Sequence, residues 1–300
     1  MWDVLGLGAV ALDHLLYVAS YPPPDTKVAV SRDERQCGGL TATALVAAAR
    51  LGARCAYAGQ LGEDTDSHFV CEAMRREGID LSWVKRDPCA GPVRSTIVVG
   101  AQPPTRNVFT CHPLRFGAHP AWPPETVICQ TRVLLVDHLG VEGMVRAARI
   151  ARAAGVAVVS DVERILPGVE PLLEMVDHVI AGWQFAAAFS GAPDPSAAVR
   201  ALWNASRKAV VVTLGAEGCV FTTDGSAVQH FPAFSVVVVD TTGCGDVFHG
   251  AYCAALARGE TIPACIRIAS AAAALKATRP GAQAGAPSRA QLDAFLAAYA

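Results

Sequence analysis

Apolar positions along the chain follow two rhythms, and the change falls near Val133. From there onward, residues 133–137, 156–161, 178–181 and 208–214 are short, nearly continuous apolar runs. Runs of that length and density predict strands buried on both faces. Between them, 142–154, a stretch near 169–176 and another near 183–189 carry apolar residues at helical spacing. A meander is expected over 219–231, a strand-like valine run over 236–239, and helices over 244–257, 262–276 and 288–299. This alternation predicts an α/β fold with a mostly parallel sheet covered on both faces.

The first third keeps the rhythm only in part. Residues 4–10 read as a buried first strand, 40–50 as an alanine-rich helix, 54–61 as a strand, and 66–77 as a helix stopped by Gly78. Two segments do not fit. Residues 12–19 continue extended, Tyr21-Pro22-Pro23-Pro24-Asp25 breaks them, and 27–35 alternates as a half-exposed strand would. Residues 93–99 and 107–111 are also extended, separated by Gln102-Pro103-Pro104-Thr105. These pieces predict a small β lid, inserted at about 12–35 and 93–111 into a single domain over 1–300. No repeat, low-complexity tract or linker divides the chain.

Composition narrows the function classes. Hydrophobic residues make up 52% of 300 positions and charged residues 17%, enough apolar material for a large core. A net charge of −2 with no Lys/Arg run leaves nucleic acid without an electrostatic footprint. The ten cysteines form no C-x-x-C pair, so a zinc ribbon or thioredoxin-like site fails on spacing. Their alanine- and valine-rich surroundings suit small buried hydrophobes in a reducing, cytoplasmic setting. Residues 4–12 are apolar but too short to span a bilayer, lack a basic flank and run into Asp13 and His14. Neither a membrane partner nor a signal peptide is expected.

The chemistry concentrates in Asp240-Thr241-Thr242-Gly243-Cys244-Gly245-Asp246, which joins the valine run to a helix. Gly243 and Gly245 leave the backbone bare, so the N–H groups of 243–246 can converge on an anion, reinforced by the helix dipole. Asp246 beside such a site suits a general base that deprotonates a hydroxyl while a phosphoryl group is held. Its alternative role is a dipole-stabilising aspartate in a first helical turn, which leaves the two glycines unexplained. Cys244 sits where a helix N-terminus can lower a thiol pKa, though its small size is reason enough for its presence.

This segment resembles the second signature, D-T-x-G-x-G-D, of the ribokinase-like (PfkB) carbohydrate kinases. Three further blocks resemble the family in its own order. They are Gly38-Gly39-Leu40-Thr41-Ala42-Thr43-Ala44 running on to Gly52-Ala53, Val210 to Gly218, and Leu275-Lys276-Ala277-Thr278-Arg279-Pro280-Gly281-Ala282. The resemblance implies a ribokinase-like three-layer α/β sandwich with a β-sheet lid and an ATP-dependent kinase of a sugar hydroxymethyl group. Asp246 would be the base, and Gly243, Cys244 and Gly245 the backbone anion hole. Asp13 would accept sugar hydroxyls, with Gly38, Gly39 and Thr43 beside it. Lys27 faces either solvent or the cleft mouth. Thr213, Gly215, Gly218 and Ser270 would line the nucleotide. Asp240, with main-chain groups of Thr242, Lys276, Arg279 and Gly281, matches positions that hold a monovalent cation, K⁺, in many relatives. ATP and Mg²⁺ are the implied cofactors, and a homodimer through the lid is implied because apolar strands at 12–19 and 93–99 need cover.

Two departures stand out. The family's N-x-x-E motif reads Gly182-Trp183-Gln184-Phe185 here, which removes two polar groups near magnesium. In motif wording the chain is nearest the sulfofructose kinase branch. Yet Thr110 and Leu139 stand where that branch grips a sulfonate, which favours a neutral sugar over an anionic one. Lys27, Arg94, Arg106, His112 and Arg115 are the lid cations that could substitute. A dinucleotide-binding reading of Gly6-Leu7-Gly8 lacks its third glycine and its helix. A non-catalytic sugar or nucleotide sensor would not need Asp246.

Overall fold

A computed structural model describes residues 1–103 and 105–299. Pro104, in the expected turn between the last two lid strands, and Ala300 lie outside the described residues.

The central sheet has eight strands. In spatial order they are Gln229–Phe231, Cys219–Thr222, Ala209–Thr213, His178–Gly182, Ala157–Asp161, Thr131–Asp137, Trp2–Gly6 and Cys55–Tyr57. The last six run parallel, and the first two are an antiparallel extension. The apolar runs are continuous because consecutive side chains enter different cores. Val133 and Leu135 belong to one cluster, Leu134 and Val136 to the other. Helices Leu40–Arg50, Cys244–Ala257 and Ile262–Ala277 contribute to the first. Val141–Ala153, Val169–Glu174, Trp183–Ser190 and Pro195–Ala201 contribute to the second. Helix Cys244–Ala257 packs against Leu40–Arg50 at Gly250, where a Cβ would overlap the Ala44 carbonyl.

The lid is a separate four-stranded sheet in the order Arg32–Gly38, Ala11–Val18, Val93–Gly100, Thr105–Cys111. Its middle pair is parallel and its outer pairs antiparallel. The three layers and the lid are those expected from the apolar pattern and the resemblance.

Several boundaries differ. The first strand ends at Gly6, and residues 7–10 leave the sheet to enter the lid. The expected strand over 54–61 divides into Cys55–Tyr57 and Gln60–Leu61. Residues 27–31 are not a strand; pairing starts at Arg32. The valine run 236–239 pairs with no strand among the described residues, and Val236 and Val238 line a cavity. Helix Pro195–Ala201, capped by Asp194 with proline at its start, was hidden by its shortness. All ten cysteines are free and six are buried. No described helix is long and apolar enough to cross a membrane.

Candidate active site

The site lies at the C-terminal ends of the parallel strands, where open α/β sheets bind ligands. Gly243 precedes helix Cys244–Ala257 with φ 76°, and an added Cβ would lie 2.7 Å from the Ala282 Cβ. Only glycine combines that left-handed backbone with so close a neighbour. The Cys244 N–H closes a turn onto the Thr241 carbonyl at 3.2 Å. The amides of Gly243, Gly245 and Asp246 have no acceptor among the described residues, so three amides rather than four remain for an anion. Burial raises the Cys244 thiol pKa, outweighing the pull from Lys276, which suits its reading as a small residue in the loop.

Asp246 stands half-buried in the first turn of this helix. Burial pushes its carboxyl well above the usual carboxylate range, and the charges of Asp161, Glu163 and Asp13 push the same way. Asp161 ends strand Ala157–Asp161. It is 2% exposed, and its Oδ2 has no hydrogen-bond partner among the described residues. His249, one turn along the helix from Asp246, lies 3.5 Å from that oxygen, with Nδ1 2.8 Å from the Gly245 carbonyl. The latter distance requires a proton on Nδ1.

Asp13 lies on lid strand Ala11–Val18, in register with Gln36 and Ser95 on its two neighbours. Burial raises its pKa, while the Ser95 hydroxyl and the Arg106 charge oppose that rise. A Cβ on Gly38 would overlap the Asp13 carboxylate. At Gly39, φ 95°, an added Cβ would lie 2.7 Å from the Ala9 carbonyl oxygen, and this residue caps the start of helix Leu40–Arg50. Arg106 reaches from lid strand Thr105–Cys111 and donates to the Thr242 hydroxyl at 2.5 Å. The lid therefore folds over the anion loop of its own chain.

A cavity of about 460 Å³ opens on the other side of Gly245. Thr213, Gly215, Gly218 and Ser270, all expected to line the nucleotide, line it together. Phe248, Val236 and Val238 supply apolar walls suited to a flat base.

The five residues expected around a monovalent cation also converge, but their centre is taken. Lys276 is fully buried, and its ammonium donates to the carbonyls of Asp240 at 2.7 Å and Arg279 at 3.1 Å. It lies 3.8 Å from Asp240 Oδ2. Burial lowers the Lys276 pKa, with Asp240 opposing. Asp240 accepts the Thr242 and Gly281 amides, each at 2.8 Å. Burial raises its carboxyl, yet these donors and Lys276 hold it below the usual value. The cage does not fit a second cation. Magnesium has no protein cage either: no group of three His, Cys, Asp or Glu side chains could hold it among the described residues.

Thr43 is buried against the anion loop, its methyl 3.5 Å from where a Cβ on Gly243 would lie, and its hydroxyl accepts from Gln283 at 3.5 Å. Lys27 is on the solvent side, exposed on the loop before Arg32. Asp137, Asp161, Glu163 and His249 were missed. Asp137 and Asp161 each end an apolar strand, which is the one signal that marked them. Asp137 accepts the amides of Ala9 at 2.6 Å and Leu139 at 2.8 Å, and the Thr41 hydroxyl at 3.0 Å. It thereby ties the lid entry to the sheet, and burial raises its pKa to about 6.

The pfkB family carbohydrate kinase pattern matches residues 1–289. The chain belongs to the pfkB family of carbohydrate kinases. This pfkB kinase is 28% identical over 302 residues to a ribokinase of Haemophilus influenzae, covering 97% of each chain. A putative ribokinase from Agrobacterium tumefaciens superposes with a TM-score of 0.91 at 27% identity, covering 99% of this chain and 97% of the other. Arabidopsis thaliana ribokinase, solved with ribose and ATP, shares the fold with a TM-score of 0.86 at 21% identity, covering 98% of each chain. The pfkB kinase is thus a sugar kinase in its coarse activity.

Proposed function

We propose that this pfkB kinase transfers the γ-phosphoryl group of ATP to a hydroxymethyl group of a small neutral sugar held as a furanose. One observation carries the reading. Asp246 follows directly on Cys244 and Gly245, which line the nucleotide cavity, feels the charge of Asp13 on the lid, and stands beside three amides without a partner among the described residues. The sugar hydroxyls are held by Asp13 with the Gly38–Gly39 backbone close by. Asp246 takes the proton of the primary hydroxyl. The oxygen attacks the γ-phosphorus in line, the bond to the bridging oxygen breaks, and ADP leaves. The amides of Gly243, Gly245 and Asp246 stabilise charge on the transferring group. Magnesium would enter with the nucleotide, held by phosphates and water, and supply charge neutralisation.

A second reading, a phosphorylated or sulfonated ketose, is favoured by Arg106. Of the five lid cations, it alone reaches the anion loop. Arg115 pairs with Asp87, Arg94 meets Cys111, and His112 packs at a tilt against Phe116. We also propose a homodimer through the lid. Leu12, Val93 and Ile97 are already covered within one chain, so Val108 and Phe109 on the edge strand support this pairing. A panel of sugars and sugar phosphates in a coupled ADP assay tests the substrate. Turnover of none would sink the proposed function.

A further inference from the structure

We propose that the Lys276 ammonium permanently occupies a monovalent-cation site, making the enzyme independent of potassium. The cage consists of the Asp240 and Arg279 carbonyls and the Asp240 carboxylate, on the two loops that frame the anion hole. Ammonium and potassium ions have nearly the same radius and charge. Carbonyl contacts at 2.7 and 3.1 Å therefore suit either. Lys276 comes from the last turn of helix Ile262–Ala277, so its charge is tethered. A second cation in the same cage would meet it at contact distance and be repelled.

Burial supports a designed fit. A lysine with no exposed surface is costly unless its N–H groups are satisfied. Here two are donated to carbonyls, and the third faces a carboxylate. That carboxylate links the Thr242 amide to the Gly281 amide. The ammonium thus holds Asp240 in a position that fixes both loops. Gly243 and Ala282, one on each loop, are in contact. Loss of the charge should loosen that contact and displace the anion-hole amides.

The test uses the full chain as wild type, Lys276→Ala and Lys276→Met, in tetramethylammonium buffer without K⁺ or Na⁺. KCl or LiCl is titrated at constant ionic strength, with sugar-kinase rate and melting temperature both measured. The rate arm rests on the proposed function, whereas the melting arm does not. Wild type should show no K⁺-specific change in either. Lys276→Ala should lose about tenfold to a hundredfold in rate. It should regain much of the loss with K⁺ but not Li⁺, and its melting temperature should rise selectively with K⁺. Lys276→Met, whose apolar chain fills the cage, should be impaired and not rescued. A K⁺-specific rise in wild-type melting temperature would overturn the proposal, even if Lys276→Ala failed to fold. So would a folded Lys276→Ala that ignores K⁺, or one with the wild-type rate in its absence.

Discussion

Substituting alanine at Gly243 and at Gly245 should separate two reasons for a glycine. At Gly243 the backbone is left-handed, which costs a side-chain-bearing residue about 1–2 kcal/mol. The new methyl would also lie 2.7 Å from the Ala282 Cβ and 3.0 Å from its Cα. Atoms fixed to backbone cannot swing aside, and overpacking of this kind costs about 1–3 kcal/mol. Gly243→Ala should therefore lose roughly 2–5 kcal/mol of stability. It should also lose activity, because relief comes only by moving the anion loop. At Gly245 a Cβ meets nothing within 4 Å. Its helical position should make Gly245→Ala neutral or stabilising by up to about 1 kcal/mol. The open space is the cleft itself, however, so the methyl should obstruct the phosphoryl group. A lost or displaced donor there is worth about 10²–10³-fold in kcat. Denaturant unfolding and steady-state kinetics on both variants decide. Equal stability losses, or full activity in Gly245→Ala, would refute the account of the anion hole.

Other consequences follow from the same geometry. Asp246 must be ionised to accept a proton, so activity should fall as pH drops through its raised pKa. Removing the neighbouring charge in Asp161→Asn lowers that pKa, and the acid limb of kcat/KM should move to lower pH; an unmoved or upward-shifted limb contradicts the coupling. Arg106→Gln should cost an anionic ketose about 1.5–3 kcal/mol, roughly 10- to 150-fold in kcat/KM, while leaving ribose or fructose nearly unchanged. Equal losses on all sugars would restrict Arg106 to holding the lid. Light scattering at micromolar concentration should show a dimer that Val108→Ser with Phe109→Ser weakens, and a wild-type monomer would remove the lid interface.

The sheet was legible because its strands are buried on both faces, which leaves continuous apolar runs that few other arrangements produce. The lid was legible as an interruption of that rhythm. What misled was local. The valines at 236–239 look like a strand, but Val236 and Val238 wall a cavity while Val237 and Val239 are exposed, and apolar content does not separate these uses. Glycines marked the anion loop because backbone exposure has a residue-level signature. His249 has none, and Asp161 has only its place at the end of an apolar strand. They lie 88 positions apart, and only the fold brings them within 3.5 Å. Lys276 was read as a backbone ligand because nothing in a helix-end lysine tells which way its chain turns. Its ammonium instead turns into the cage of Asp240 and Arg279 carbonyls, where it is proposed to act as the ion.

The central claim is that Asp246 is the general base for phosphoryl transfer. Asp246→Asn keeps the shape of the side chain and the amides around it while removing the base. Measured together, ADP affinity by calorimetry and kcat on the best sugar give the most direct test. The account predicts unchanged ADP affinity and a loss of about 10²–10⁴-fold in kcat. Near-wild-type turnover in that variant would contradict it.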